Sequence, residues 1–138
     1  MKRLMLSLCC LCAAVTYAQK DSITFKGYFY NKEYGVYLRI NFYGQNIIIP
    51  GQEMLGGVPG YLGKDRNSFA WPIVSANIKG KKASLQMVND YGSEDLEATL
   101  TQQNDSIYVL RQGKGSTIKV PADGKWQKLP PVLPFKRQ

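Results

Sequence analysis

A two-residue alternation of side chains runs through residues 23–43 and constrains the fold of this chain more than any other feature. Successive side chains of a β-strand point to opposite faces, so this period predicts strands that bury one face. Two strands joined by a tight turn at residues 31–34 would share a buried face made of Ile23, Phe25, Phe29, Val36, Leu38, Ile40 and Phe42.

One like-charge pair bears on the register of this hairpin. A four-residue turn sets Tyr30 opposite Gly35 and keeps both apolar faces on one side. The same register brings Lys26 opposite Arg39, which carries a mild electrostatic cost. A slip by two residues therefore stays open as an alternative, because it preserves the same buried face.

The opposite face of the hairpin is aromatic, because Arg39 is surrounded there by Tyr28, Tyr30, Tyr37 and Tyr43. Tyr and Arg are enriched where protein interfaces concentrate their binding energy, so this face is a candidate interaction surface. Tyrosine is also a good strand former whose hydroxyl water can solvate, which accounts for the same face without a partner. Both interpretations stay open.

The N-terminus has the layout of a secretory signal peptide. Lys2 and Arg3 precede an apolar run from Leu4 to Val15, and small residues close it before a cleavage point after Ala18. The run is too short to span a bilayer as a mature helix, so we expect no transmembrane segment after cleavage of residues 1–18. The cysteines lie inside the run rather than at its end, which disfavours a lipoprotein. We therefore predict an exported bacterial protein, periplasmic or extracellular.

Cleavage would remove all three cysteines, and the chain has no histidine. Ser-His-Asp and Cys-His nucleophiles and Cys/His zinc sites are thereby excluded from the mature chain. We expect no cofactor and no metal, since residues 90–95 lack the one-three-five ligand spacing of the common calcium loop. The remaining catalytic alternative is a glycoside hydrolase using two carboxylates among Glu33, Glu53 and Glu94.

Short strands with turn signals follow to the end of the chain, and no 3.6-residue apolar period persists in residues 19–138. This pattern predicts an all-β fold, a single antiparallel up-and-down meander barrel of about eight or nine strands, with a β-sandwich as the runner-up. We place the barrel in residues 19–129, a long glycine-rich loop at 51–67 and a proline-rich basic tail at 130–138.

The first predicted strand carries a family resemblance. Gly27-Tyr28-Phe29-Tyr30 resembles the Gly-x-Trp-Tyr pattern that opens the calycins, the lipocalin and avidin-like group. Phe29 stands where tryptophan is usual, and in that family the tryptophan makes a closing contact with an arginine. The resemblance covers about twenty residues and the strand rhythm, and it implies a meander barrel with a ligand cup at one end. It implies no individual binding residue.

A meander also assigns each connection to one end of the barrel. The connections at 31–34, 51–67, 90–94 and 113–115 would form an acidic, aromatic mouth, opposite a basic end with Lys79, Lys81 and Lys82. Aromatic faces and carboxylates suit sugars or amine-bearing ligands. The predicted ligand-binding residues are Tyr34, Tyr61, Trp71, Asp90, Tyr91, Glu94 and Asp95.

These patterns favour an exported, non-catalytic binding module whose ligand is a glycan, a peptide or a small molecule. The alternative is a protein–protein or inhibitor-like module that uses the outer Tyr/Arg face to bind an envelope protein. The net charge of +8 is compatible with anionic polysaccharide or lipid headgroups, or with ordinary solubility, and we predict no nucleic-acid partner. Large inward residues favour a filled barrel over a hollow one.

Overall fold

The computed structural model describes residues 23–90 and 92–138. The predicted signal peptide, residues 1–18, and Tyr91 lie outside the described residues. The strands are β1 Lys26–Asn31, β2 Val36–Asn41, β3 Gly60–Lys64, β4 Ala70–Lys79, β5 Lys82–Val88, β6 Asp95–Gln102, β7 Ile107–Gly115, β8 Lys119–Ala122, β9 Lys125–Lys128 and β10 Val132–Arg137. A single 3-10 turn occupies Glu53–Leu55. The described residues contain no helix with the length and apolarity that crossing a membrane requires.

Eight strands form a closed antiparallel barrel in the order β1-β10-β7-β6-β5-β4-β3-β2, and β8 and β9 form a separate two-stranded sheet. Every strand of the barrel pairs with its predecessor in the chain, apart from the hairpin inserted between β7 and β10. The predicted all-β meander barrel is therefore confirmed. Full closure removes the exposed edges that make open sheets prone to aggregation.

The two strands of the first hairpin are shifted by two residues from the register that sets Tyr30 opposite Gly35. Tyr28 lies opposite Arg39, and Phe29 lies opposite Leu38. Lys26 consequently faces Asn41 instead of Arg39, which removes the like-charge contact. The slip by two keeps every side chain on the face that the sequence predicts, as a period of two requires.

The barrel interior is filled. The predicted inward residues Phe25, Phe29, Leu38, Ile40 and Leu85 are all buried in one apolar cluster that also contains Trp71, Met87, Tyr108 and Phe135. Eight-stranded barrels leave room for side chains and little else, so this interior is a core. The family resemblance implies a ligand cup at one end of the barrel, whereas packed side chains of the described residues fill the lumen.

Residues 42–59 form a strap across the outer wall. The strap leaves the end of β2, and its Ile47 and Ile49 pack with Val58 on Tyr61 of β3 and Ala70 of β4. Residues 46–49 fit a strand by composition, but they make a single isolated bridge, from Ile47 to Val58. The strap shields apolar side chains on the outside of the barrel from water.

The glycine-rich stretch predicted as a loop at 51–67 contains the strand β3. A Cβ on Gly60 would lie 2.5 Å from the Arg39 carbonyl oxygen, and one on Gly63 would lie 2.4 Å from the Tyr37 ring. These glycines permit close approach within a sheet rather than a turn. The prediction of a continuous loop was wrong because glycine signals both situations.

Residues 130–138 were predicted to be a tail outside the barrel, and this prediction is wrong, because β10 lies between β1 and β7 in the closed barrel. Residues 116–129, predicted as part of the barrel, instead cover the barrel end with the β8–β9 hairpin. Ile118, Val120 and Leu129 of this segment join the interior cluster. They form an apolar plug, and the Asp123-Gly124 turn has the positive φ angles, 52° and 76°, that a two-residue hairpin turn favours.

The opposite end is closed by one arginine. Arg137 donates from its guanidinium to the carbonyl oxygens of Lys26 (2.9 Å) and Thr24 (2.9 Å) and to the Tyr108 hydroxyl (2.7 Å). The Arg137 Cζ lies 4.7 Å from the centre of the Phe29 ring, a cation–π distance. We call Arg137, Phe29 and Tyr108 the C-terminal latch.

Candidate functional site

The two barrel ends carry different connections. The turns at 32–35, 65–69 and 89–94 and the plug segment 116–129 meet at one end, which we call the hairpin end. The other end, which we call the latched end, contains the start of β1, the end of β10 and the turns at 80–81 and 103–106. Lys79, Lys81 and Lys82 lie on the latched end, where the strand count predicts a basic surface.

A recess of about 220 Å³, the hairpin pocket, opens at the hairpin end between the β8–β9 sheet and the barrel rim. Trp126 projects from β9 with 54% of its surface exposed. Its indole stands edge-on to Phe69, with ring centres 5.0 Å apart. The lining residues are Phe69, Trp71, Asn89, Ser93, Glu94, Lys119 and Trp126.

Trp71 anchors the hairpin from below. The side chain is 1% exposed, and its indole N–H donates to the Lys119 carbonyl oxygen at 2.9 Å. A buried indole N–H needs an acceptor, and this one fixes β8 on the barrel rim. Trp71 therefore borders the pocket, but its indole N–H is already bonded to Lys119.

Asn89 organises the turn that presents Glu94. This buried amide accepts hydrogen bonds from the backbone N–H groups of Ser93 (2.9 Å) and Glu94 (3.3 Å) through its Oδ1. Its Nδ2 donates to a Glu94 carboxylate oxygen at 3.4 Å. The Glu94 side chain is consequently held half-buried at the pocket wall, where it can accept hydrogen bonds from a ligand.

The other predicted mouth residues do not all converge. Tyr61 lies under the strap on the outer wall, so its assignment to the mouth is wrong. Asp90 lies at the hairpin end but accepts a hydrogen bond from Gln52 of the strap. Tyr34 packs against the interior cluster, and Asp95 is an exposed residue that begins β6. Tyr91 is not described.

The hairpin end is mixed in charge rather than acidic. A polar cleft of about 460 Å³, the turn cleft, opens beside the β8–β9 turn and is lined by Lys32, Lys64, Asp65 and Arg66, with Tyr30, Gly35, Asn67 and residues 121–124. Lys64 Nζ donates to the Tyr34 carbonyl oxygen. Asp65 accepts a hydrogen bond from the Tyr30 hydroxyl. Cations from two turns therefore border one concave surface.

The outer face of the first hairpin, with Tyr28, Tyr37 and Arg39, is called the outer tyrosine wall, and some of its tyrosines already contact other rings of the protein. Tyr28 stacks on Tyr37 with ring centres 5.2 Å apart, and Tyr37 meets Tyr61 edge-on at 5.8 Å. Burial raises the pKa of Tyr37 well above its ordinary value, and a hydrogen bond with Tyr61 adds to the shift. Arg39 is exposed beside these rings.

Tyr30 and Tyr43 point to other partners than this wall. The hydrogen bond to Asp65 raises the pKa of Tyr30. The Tyr43 hydroxyl accepts the backbone N–H of Phe25 at 3.1 Å, near the latched end. The predicted interaction surface is thus reduced to Tyr28, Tyr37 and Arg39.

Sequence reasoning missed Phe69, Asn89, Ser93, Lys119 and Trp126. A signal for Trp126 was present, because a large aromatic residue in the polar stretch Lys125–Lys128 has no apolar partner within its own strand. The pattern could not show that the strand leaves the barrel and meets the β5–β6 turn. Long-range packing decides that contact.

The carboxylates are dispersed. The backbone N–H of Gly51 donates to Glu53 at 3.0 Å and lowers the pKa of its carboxyl, which is the wrong direction for a general acid. Glu53 lies on the strap, whereas Glu33 and Glu94 lie on separate turns of the hairpin end. In residues 23–90 and 92–138, no three or more carboxylate, histidine or cysteine side chains come together as a metal site.

No protein-family model, no curated protein and no solved structure matches the chain.

Proposed function

We propose that this protein is an exported, non-catalytic binding module that holds its ligand in the hairpin pocket. The observation that carries the proposal is the convergence of exposed Trp126, Phe69 and half-buried Glu94 around one recess. Ligand sites combine apolar and aromatic walls with a few oriented polar groups. Three separate segments of the chain supply these walls here.

The size of the pocket limits the ligand portion that it can hold. Drug-sized ligands occupy roughly 300–1,000 Å³, whereas this recess measures about 220 Å³. One sugar ring or one side chain of a peptide fits it. The packed interior of the barrel supports recognition at the surface, where the rest of a longer ligand extends into solvent.

The chemistry of the wall supports binding rather than turnover. An aromatic face attracts the C–H face of a sugar or a cationic group. Glu94 supplies acceptor oxygens, and Lys119 supplies ammonium donors. The carboxylates of Glu33 and Glu53, which the hydrolase alternative would use, are not among the residues that line this recess.

Trp126 fluorescence tests the proposal. We expect neutral or acidic oligosaccharides, or short peptides, to shift the emission of the exposed Trp126 and to raise the melting temperature without being cleaved. Trp126→Ala should abolish binding, Trp126→Phe should keep part of it, and Lys81→Ala at the latched end should leave it unchanged. Binding that survives Trp126→Ala and Glu94→Gln would reject this pocket.

A second candidate function uses the outer tyrosine wall. Its specific support is a groove of about 370 Å³ bordered by Tyr28, Arg39 and Ile47, next to the stacked Tyr28–Tyr37 pair. Such a surface suits an envelope protein that inserts a side chain between the strap and the sheet. Tyr28→Ala with Arg39→Ala should then abolish capture of that partner from envelope extract, whereas Gln86→Ala on another wall should not.

A further inference from the structure

The turn cleft and the hairpin pocket lie on one hairpin. Pro121 borders the turn cleft and Trp126 borders the hairpin pocket. These two residues are directly opposite each other in the β8–β9 pairing, which places their Cα atoms about 5 Å apart. The walls of the two recesses therefore contain cross-strand neighbours of one hairpin.

The cleft is equipped for negative charge. Lys32 and Arg66 are exposed on two different turns, and Lys64 borders the same surface. Asp65, which also lines the cleft, accepts a hydrogen bond from the Tyr30 hydroxyl, and this occupies one of its acceptor positions. Asp123 is the remaining acid of the lining, so the cations outnumber the acids.

The volume of the turn cleft favours an anion larger than a free sulfate or phosphate. A water molecule occupies about 30 Å³ in the liquid, and a cleft of about 460 Å³ greatly exceeds a free sulfate or phosphate. The lining is predominantly polar, which does not suit an acyl chain. A charged sugar unit fits both the size and the polarity.

We infer that the two recesses are adjacent subsites for one acidic oligosaccharide. One sugar ring packs on Trp126, and a neighbouring unit places its carboxylate or sulfate near Lys32 and Arg66. This inference rests on the proposed function and names its ligand class. Arginine offers paired N–H donors that match carboxylate and sulfate oxygens, and lysine adds a point charge.

The experiment compares hexasaccharides of equal length: an oligogalacturonide with carboxylates, a heparin fragment with sulfates and a neutral malto-oligosaccharide. We expect the full-length mature chain to bind one acidic probe about tenfold tighter than the neutral one at low ionic strength. Salt should reduce that advantage. The relative affinity of the two acidic probes identifies the anionic group.

Charge variants separate the two subsites. Lys32→Gln with Arg66→Gln should remove the acidic preference and retain neutral binding, whereas Trp126→Ala should abolish binding of both the acidic and the neutral probes. Lys79→Gln with Lys81→Gln at the latched end makes the same change in net charge and should have no effect. Circular dichroism of each variant verifies that it is folded.

Four results would overturn the inference. The inference of an acidic subsite fails if acidic and neutral probes bind with equal affinity, or if the acidic preference survives the Lys32/Arg66 changes. Neither result contradicts the proposal that a ligand packs on Trp126. Tighter binding of phosphatidylglycerol vesicles than of either acidic probe would assign the cleft to lipid headgroups. If Trp126→Ala changes binding of no probe, the proposed function fails as well.

Discussion

The two ends of the barrel are closed by different chemistry. At the latched end, one guanidinium lies over Phe29 and donates to backbone carbonyl oxygens and to Tyr108. At the hairpin end, Ile118, Val120 and Leu129 insert as an apolar plug into the interior cluster. Hydrogen bonding is directional, whereas apolar burial is not.

This difference in closure determines which groups at each end remain available to contact a ligand. The guanidinium of the latch is committed to four hydrogen bonds, to Ile23, Lys26, Thr24 and Tyr108. The plug needs only one side of its hairpin for packing, so the other side presents Trp126 to solvent. A closure by apolar packing can therefore carry a binding surface, and a closure by a polar network has less to offer a ligand.

The largest expected effect is loss of the plug. Ile118→Ala removes three buried carbon atoms beside the barrel core and should lower the free energy of unfolding by about 3 kcal/mol. Urea denaturation measures this change, and Lys125→Ala on the exposed part of the same hairpin is the control. A loss below about 1 kcal/mol would contradict a plug that is packed as part of the core.

Removal of the latch should cost somewhat less. Arg137→Ala leaves the carbonyl oxygens of Lys26 and Thr24 without their charged donor, and we expect a loss of about 2 kcal/mol. Arg137→Lys should restore little, because an ammonium lacks the planar fork. Lys136→Ala, one residue earlier and exposed, is the matched control. Equal stability of Arg137→Ala and Lys136→Ala would show that the latch contributes nothing.

Alkaline pH should weaken the latched end. Burial raises the pKa of Tyr108 above its ordinary value of 10.0, although Arg137 acts to lower it. The unfolded phenol loses its proton first, so stability is full below pH 10 and falls as the pH rises above it. Unfolding midpoints in urea measured between neutral and strongly alkaline pH should therefore fall more gently for Tyr108→Phe than for the parent. Parallel curves would contradict this assignment.

Trp126→Ala should have the smallest effect on stability, about 1 kcal/mol, because mainly the edge-on contact with Phe69 is lost. The same change should abolish ligand binding. A differential scanning measurement beside a binding titration separates the two outcomes. A stability loss as large as that of Ile118→Ala would mean that Trp126 belongs to the closure and not to a site.

Much of the barrel could be predicted from local periodicity. Phe25, Phe29, Leu38 and Ile40 are inward as their parity requires, since parity depends only on strand geometry. The order of strands β1 to β7 followed because each of β1 to β6 pairs with the next strand in the chain. The prediction of β3 was wrong because its glycines were interpreted as loop signals. Glycine is required there because the Tyr37 ring and the Arg39 backbone of the neighbouring strand approach closely.

The candidate site was less predictable. Glu94 and Trp71 line the hairpin pocket, at the barrel end where the sequence placed the mouth. Tyr61 lies on the outer wall instead, because β3 is a strand and not part of the predicted loop. Trp126 could not be connected to Phe69 without knowing that residues 116–129 fold as a plug. No period relates these segments, because their contact depends on the shape of the barrel end.

The sequence by itself determined the strand period, the inward face and the absence of histidine and, after the expected cleavage, of cysteine. The tertiary structure decided that the C-terminal segment β10 closes the barrel, that the lumen is filled and that a hairpin carries the exposed tryptophan. The physical reason is range: alternation along a strand is local, whereas closure and pocket formation depend on which distant segments fill the space that the barrel leaves.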